Sequence, residues 1–374
     1  MKMVSMFLLV LGCVLALVTV LGAVMPFVPS GEWAVRVWDF PRVQLLFAGA
    51  VGVGLLGCSL VGLKGHALAA VAWWSMAFAV AAIGVQGYFI LRYTPIWSKT
   101  VAGTDSADWR ILMVNLDFEN EQHSEVLQAI EGVDPDVMVL VEYSEAWAEA
   151  LRPITDAYPE RVEEIRGEGL GIALFSRVPL AEARIEHLVS DRRASIHAEL
   201  RPEARPPISL VGLHPTPPAL AVREGEGRYD SRIRDAELMI VADRVAADPD
   251  RAWIIAGDFN DVAWSHTTRL FERVSGLGDP RVGRGMYSTY HADYPLLRYP
   301  LDHIFLSADF GIERMGVERI PGSDHMGVSV DLGYDPRAIS ARPSPEGDDL
   351  EEAHEMQSEG TEDATEEDES AGGG

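Results

Sequence analysis

The chain has 374 residues, 48% of them hydrophobic and 24% charged, with a formal net charge of −26 and two cysteines. Cys13 and Cys58 both fall inside apolar runs, which excludes a disulfide framework and a thiolate metal site in an aqueous domain. The acidic balance disfavours a protein that coats nucleic acid, because such binding needs Lys and Arg to displace phosphate counterions.

The chain opens on three uncharged runs. No charged residue lies between Lys2 and Glu32, between Arg42 and Lys64, or between His66 and Arg92. Each run exceeds the roughly 18 apolar residues that cross a bilayer. Transmembrane helices are expected at about 4–28, 43–63 and 67–91, within a membrane domain of residues 1–100. The first run outlasts the roughly 7–15 residues of a cleaved leader's core, so it reads as a retained helix. Gly and Ala are frequent around 49–54, which suits close approach of helices in lipid. Trp33, Trp38, Trp73, Trp74, Tyr88, Tyr93 and Trp97 partly fit interfacial belts, Trp73 and Trp74 less well because they lie inside the third run. Lys2 and Lys64 flank one side, and Arg36, Arg42, Arg92 and Lys99 the other. This margin of two favours a cytoplasmic C-terminal portion.

Residues 101–340 change to alternating apolar runs and amphipathic stretches. Strands are expected at 110–115, 136–142, 171–176, 194–200, 208–213, 253–256 and 301–306. Helices are expected at 123–131, from Ser144, and at 231–247, where Ile233, Leu238, Ile240, Val241 and Val245 form a stripe. Four of these strands run directly into a polar residue: Asn115, Glu142, His214, and Asp258 after Gly257. Asn260 and Asp261 follow the last of them. Strand ends are where α/β proteins gather catalytic groups from distant parts of the chain.

The residue types suggest the chemistry. Glu142, with Asn115 and Asp324, offers the oxygen ligands that a hard cation such as Mg²⁺ prefers. No Cys cluster or H-E-x-x-H motif competes for zinc. The Ser323-Asp324-His325 run sets a carboxylate beside a histidine, and Asp302 is a candidate to orient that ring. A histidine so held serves as a general base or steadies a developing phosphorane.

The final stretch differs again. Residues 1–100 carry a net +4, residues 101–340 a net −18 and residues 341–374 a net −12. Between 346 and 369 there are 13 acidic residues, no Lys or Arg and no aromatic residue. Such a composition buries too little apolar surface to offset its ordering entropy, so residues 341–374 are expected to form a disordered acidic tail.

The ordered set Asn115, Glu142, His214-Pro215, Gly257-Asp258-Phe259-Asn260, Leu301-Asp302-His303-Ile304 and Ser323-Asp324-His325 resembles the endonuclease/exonuclease/phosphatase superfamily across about residues 109–332. The resemblance implies an α/β fold, a four-layer sandwich of two mixed β-sheets flanked by helices, here preceded by three transmembrane helices. It also implies cleavage of a phosphate ester with Mg²⁺ or Mn²⁺. Carried across, Glu142, Asn115 and Asp324 would hold the metal, and Asp258 would orient or activate the attacking water. Asn260 and His214 would bind phosphate oxygens, and the Asp302–His325 pair would stabilise the transition state. Asp117 would correspond to a further metal-side carboxylate of the apurinic-type members, a position that varies among relatives and is not included in the site.

In plan the chain is similar to membrane-anchored bacterial members, including a glycopeptide-resistance type whose catalytic domain faces outside. This relation opposes the Lys/Arg count, whose margin is only two residues, and the expectation leans to a multi-pass cell-membrane protein with an extracytoplasmic catalytic domain. Its partners would be the lipid bilayer and a phosphate-ester substrate, a lipid-linked phosphate or pyrophosphate among the candidates. Two alternatives stand beside this reading: a membrane-anchored endonuclease or exonuclease, with Arg192, Arg193, Arg281, Arg284 and Arg298 lining a groove, and a non-catalytic binding module. Nothing in the sequence sets an oligomeric state.

Overall fold

The computed structural model describes residues 2–218, 230–336 and 342–372. The expected boundary at 340/341 lies outside the described residues. At the N-terminus stand α1 (Lys2–Val24), the short α2 (Trp33–Arg36), α3 (Arg42–Ser59) and α4 (Leu68–Leu91). Of these, α1, α3 and α4 are long and apolar enough to cross a membrane. They pack through small residues: a Cβ on Gly12 would strike Leu56, and one on Gly49 would strike Thr19 and Ile83. Because the three run alternately up and down, residues 25–41 and 92–101 meet at the same end of the bundle.

Twelve strands follow among the described residues: β1 (Ala102–Gly103), β2 (Trp109–Asn115), β3 (Val137–Val141), β4 (Glu160–Glu164), β5 (Ile172–Ser176), β6 (Leu180–His187), β7 (Ala194–Leu200), β8 (Ile208–Leu213), β9 (Ala252–Asp258), β10 (Asp302–Leu306), β11 (Phe310–Arg319) and β12 (Met326–Tyr334). They form two sheets, one ordered β1-β11-β12-β2-β3-β5-β4 and the other β10-β9-β8-β7-β6. Both are mixed: β2 pairs parallel with β3, and β8 with β9, while β12–β2 and β9–β10 are antiparallel.

Side-chain alternation explains the layers. Ile111, Val139 and Leu174 of the first sheet meet Ile196, Leu210 and Ile254 of the second in one central core. The opposite face of the first sheet, with Leu112, Val114 and Leu140, is covered by α5 (His123–Val133), α6 (Glu145–Ala150) and α7 (Arg152–Thr155). The outer face of the second, with Val211 and Ile255, is covered by α8 (Arg232–Ala246) and α9 (His266–Ser275). The result is the four-layer sandwich that the resemblance implied. Gly257 is required in β9, since a Cβ there would overlap the Leu213 carbonyl of the adjacent β8.

One expectation is overturned. The acidic segment expected to be disordered carries a helix, α10 (Asp349–Gly372), packed on α8 and α9. Ala353 and Ala364 are buried, and Gly360 lies so close to the Arg232 carbonyl that a Cβ would overlap it. Asp349 accepts two hydrogen bonds from Arg273, at 2.6 and 2.8 Å, and Glu352 meets His266 at 2.6 Å. Small residues at helical spacing let this polar helix approach closely, and basic partners from elsewhere in the chain offset its charge.

The helical bundle is seated on the sandwich. Phe89, Ile90 and Tyr93 pack with Val262, Ala263, Trp264 and Leu301. The Tyr93 hydroxyl donates to the Ala263 carbonyl at 2.7 Å, and Trp264 Nε1 donates to the Asp39 carbonyl at 2.7 Å. Arg92 pairs with Glu272 at 2.9 Å.

Candidate active site

Parallel pairing of β2 with β3, and of β8 with β9, brings the C-terminal ends of four strands to one lip of the sandwich. Asn115 ends β2, and Glu142 follows β3 at once. His214 follows β8, and Asp258 ends β9. Asp302 opens β10 directly across from Asp258 in the antiparallel register. The structure thus gathers residues separated by nearly two hundred positions.

Asn115 is the hub. Its Nδ2 donates to Glu142 Oε1 and to Asp258 Oδ2, each at 3.1 Å, and its Oδ1 accepts the Asp117 amide at 3.0 Å. Glu142 also accepts the Phe118 amide at 3.0 Å. Three residues here take left-handed backbone conformations, Glu142 at φ 59°, Asp117 at 60° and Asn260 at 51°. Such conformations cost non-glycine residues on the order of 1–3 kcal/mol and persist where surrounding bonds over-determine them.

Asp258 is buried, and its Oδ1 accepts the Asn260 amide at 2.9 Å. Asn260 Nδ2 donates to the Pro215 carbonyl at 3.0 Å, which ties it to the His214 loop. The histidine of the Ser-Asp-His run lies between two carboxylates. Its Nδ1 is 2.8 Å from Asp302 Oδ2, and its Nε2 is 3.6 Å from Asp258 Oδ2. The Ser323 hydroxyl donates to the Asn115 carbonyl at 2.9 Å and accepts the His325 amide at 3.0 Å, so the loop is pinned to β2. Asp324 is partly exposed, and near enough to act electrostatically on Asp117 and His325.

The electrostatics follow from burial. It raises the Glu142 carboxyl above its usual range, and raises Asp258 to about 7 against the opposing pull of His325. At His325 burial opposes the charged ring, but Asp302 and Asp258 outweigh it and raise the pKa to about 10. At His214 burial and the neighbouring Arg193 act together, holding that ring neutral.

The donor atoms suit a hard divalent cation. They are mostly oxygens, and carboxylates outnumber cationic groups around the cluster. Asp302 Oδ1 is buried without a hydrogen-bond partner. Ligand atoms of Asp258, Asp302 and His325 lie within 4.8 Å of one another, an arrangement that could also hold a metal. Both Glu142 oxygens and Asn115 Oδ1 already accept hydrogen bonds within the cluster, and Asp302 engages His325 Nδ1 through its other oxygen.

Sequence reasoning missed several contributors. Arg193, noted only as one of several groove arginines, sits 2.8 Å from His214 Nδ1 and donates to the Gly169 carbonyl at 3.1 Å. The Tyr290 ring lies 4.8 Å from that of His325. Asn120 donates to the Pro321 carbonyl at 2.9 Å and so anchors the His325 loop to the β2 end. Arg234 of α8 donates to the Asn260 carbonyl at 2.9 Å and pairs with Asp261 at 3.3 Å. Arg193, Asn120 and Tyr290 lie in polar loops with no surrounding period, and Arg234 sits within α8, so no local pattern marks any of them. His303, within the Leu-Asp-His-Ile run, lies in the core, stacked on Phe259 at 4.6 Å.

Glu237 of α8 is buried beneath His214, with its Oε2 accepting the Thr216 amide at 3.2 Å, and burial raises its pKa to about 8. From the ordinary glutamate range up to about 8, the folded chain keeps a proton that the unfolded chain has lost, so stability falls as pH rises. Glu237→Gln is expected to raise the thermal midpoint at about pH 8 by about 2 °C or more. The gain should vanish near pH 4, where both states are protonated. An equal shift at both pH values would show that the Glu237 charge carries no such cost.

The profile of the endonuclease/exonuclease/phosphatase family matches residues 112–325, more than half of the chain. No curated protein matches the chain. Similar solved structures include an endonuclease/exonuclease/phosphatase from Beutenbergia cavernae, 19% identical over 63% of this chain and 74% of that one, with a TM-score of 0.49. A family protein from Bacteroides thetaiotaomicron is 16% identical over 61% of this chain and 98% of its own, with a TM-score of 0.48. The human Nocturnin catalytic domain with bound sulfate is 15% identical over 64% and 96%, with a TM-score of 0.45.

Proposed function

Because the chain belongs to the endonuclease/exonuclease/phosphatase family, whose enzymes hydrolyse phosphodiester bonds and generally depend on a divalent metal, we propose that it is a membrane-tethered, Mg²⁺-dependent phosphohydrolase or phosphodiesterase acting on a lipid-borne phosphate ester. One observation carries the lipid part of this reading. The segments that follow Asn260 and precede Asp302 are the ones on which α4 packs, through Val262, Ala263, Trp264 and Leu301. A site built on the seat of three membrane-length helices has lipid headgroups within reach. The catalytic domain is assigned to the extracytoplasmic side, following the family resemblance.

Glu142, with Asn115 and Asp324, would hold the cation, Mg²⁺ or Mn²⁺. A bound cation supplies neutralisation of charge on the transferring phosphoryl group. The chain's own residues do the rest. Asp258, fixed by Asn115 and the Asn260 amide, accepts a proton from the attacking water. The neutral His214 ring and the Asn260 amide group bind phosphoryl oxygens, with Arg193 behind His214 adding positive potential. Asp302 fixes the His325 ring, which presents Nε2–H to the oxygen that gains charge.

The test is a substrate panel with the full-length protein in vesicles and Mg²⁺. Phosphatidic acid, a polyprenyl pyrophosphate, and single- and double-stranded DNA would be compared. Turnover of a lipid phosphate well above that of either DNA supports the proposal. The reverse order would establish the membrane-anchored nuclease instead, and turnover of none would favour the binding module.

A further inference from the structure

One wall of the site is a loop whose apolar side chains face outward. In residues 293–298, Asp-Tyr-Pro-Leu-Leu-Arg, Leu296 is 86% exposed, Tyr294 59% and Leu297 53%. Three large apolar side chains in six residues form a patch that water disfavours. The loop also touches the apolar bundle. Gln44, in the first turn of α3, donates through Nε2 to the Leu296 carbonyl at 2.6 Å. Leu296 therefore lies level with the start of a membrane-length helix. Nearby, Phe40 meets Tyr299 edge-on at 5.6 Å. At the same end of the bundle, exposed Tyr88 meets Trp97 at 6.2 Å, the kind of aromatic pair that marks a membrane–water interface.

The other side of the loop belongs to the site. The Ala292 amide donates to the Asp324 carbonyl at 2.6 Å, and Tyr290, whose ring is tilted against that of His325, pairs through its backbone with Tyr299. Arg319 pairs with Asp293 at 2.6 Å, which anchors the base of the loop.

We propose that Tyr294, Leu296 and Leu297 insert into the interface of the bilayer that holds α1, α3 and α4, so that this loop forms a lipid-embedded lip of the site. The inference rests on the reading of those helices as membrane-spanning and of the site as a phosphoesterase. Its occupant is the bilayer, because the patch continues the surface of the bundle at the level of α3's first turn. A phosphate on a lipid headgroup then reaches His325 along the Tyr290 wall, while its acyl chains stay in the membrane.

Leu296→Cys, in full-length protein carrying Cys13→Ser and Cys58→Ser, would be labelled with an environment-sensitive fluorophore and reconstituted in phosphatidylcholine vesicles. Glu203→Cys, exposed on the opposite side of the sandwich, serves as the aqueous control. Spin-labelled lipid should quench the label at 296 and spare that at 203, and aqueous iodide should do the opposite. Iodide quenching at 296 equal to that at 203 would overturn the proposal. Shielding from both quenchers would also overturn it, by placing a second copy or another protein on the loop.

A separate readout is the ratio of turnover on phosphatidic acid in those vesicles to turnover on a water-soluble phosphate ester. The Leu296→Ser, Leu297→Ser double variant should lower that ratio by about tenfold or more, because two apolar side chains no longer anchor the lip. An unchanged ratio would contradict the proposal. Lipid quenching at 296 in a wild-type protein that cleaves no lipid phosphate would uphold the insertion and sink the substrate reading, so the two failures are distinguishable.

Discussion

Replacing His325 with alanine is expected to lower turnover by about two orders of magnitude or more, the size of effect that follows loss of a positioned acid/base group. The ring is buried, with Nδ1 held at 2.8 Å by Asp302 and Nε2 directed toward Asp258 at 3.6 Å. A histidine serving only to close a loop would not need two carboxylates, since Ser323 already pins that loop to β2. Substrate affinity should change less than turnover. Asp302→Ala should add little on the His325→Ala background, because groups that act as one unit are not additive. Turnover measured for wild type, both single variants and the double variant decides the matter. Full additivity would break the dyad, and near-normal turnover in His325→Ala would remove this loop from catalysis.

The second large effect is expected at Glu142. Glu142→Gln keeps the shape of the side chain but only one of the two oxygens that accept from Asn115 and the Phe118 amide, so the fold should survive, read as a retained cooperative thermal transition in the presence of chelator. Loss of the charge should weaken apparent Mg²⁺ affinity and reduce turnover, each by about tenfold or more, since a hard cation draws its affinity chiefly from anionic oxygens. A Mg²⁺ titration of activity separates the two effects. If Glu142→Gln retained wild-type affinity and turnover, the cation would have to sit elsewhere, and the Asp258–Asp302–His325 grouping would be the place to look.

Much of this site was legible because β2, β3, β8 and β9 are short and apolar with polar ends. Val137–Val141 is buried throughout, and such a run followed by Glu142 leaves the carboxylate no place but the sheet's edge. Asp302 and His325 were legible as a pair only because the resemblance linked motifs that no local pattern connects.

What escaped the reading did so for physical reasons. β4, Glu160–Glu164, and β6, Leu180–His187, are edge strands at the ends of their sheets, and their charged, half-exposed residues mask the strand period. β12 alternates Val328, Val330 and Leu332 with Gly327, Ser329 and Asp331, a short period that follows the His325 loop directly with no turn residue to set it apart. α10 could not be seen from its own composition. Its stability comes from Arg273, Arg232 and the α8 backbone, none of them near it in sequence. Arg193 is one arginine among five candidates for a groove, and only the fold places it behind His214.

In this reading the cluster of buried and partly buried carboxylates hydrolyses a phosphate ester with a divalent cation. That activity is tested most directly by following phosphate release from phosphatidic acid by the vesicle-borne, full-length protein, first with Mg²⁺, then after chelation, then with Mg²⁺ restored. The prediction is saturable release with Mg²⁺, loss of release on chelation and recovery on re-addition, with Glu142→Gln slower by about tenfold or more at the same Mg²⁺. Release that persists in chelator, or that Glu142→Gln sustains at the wild-type rate, would contradict the account.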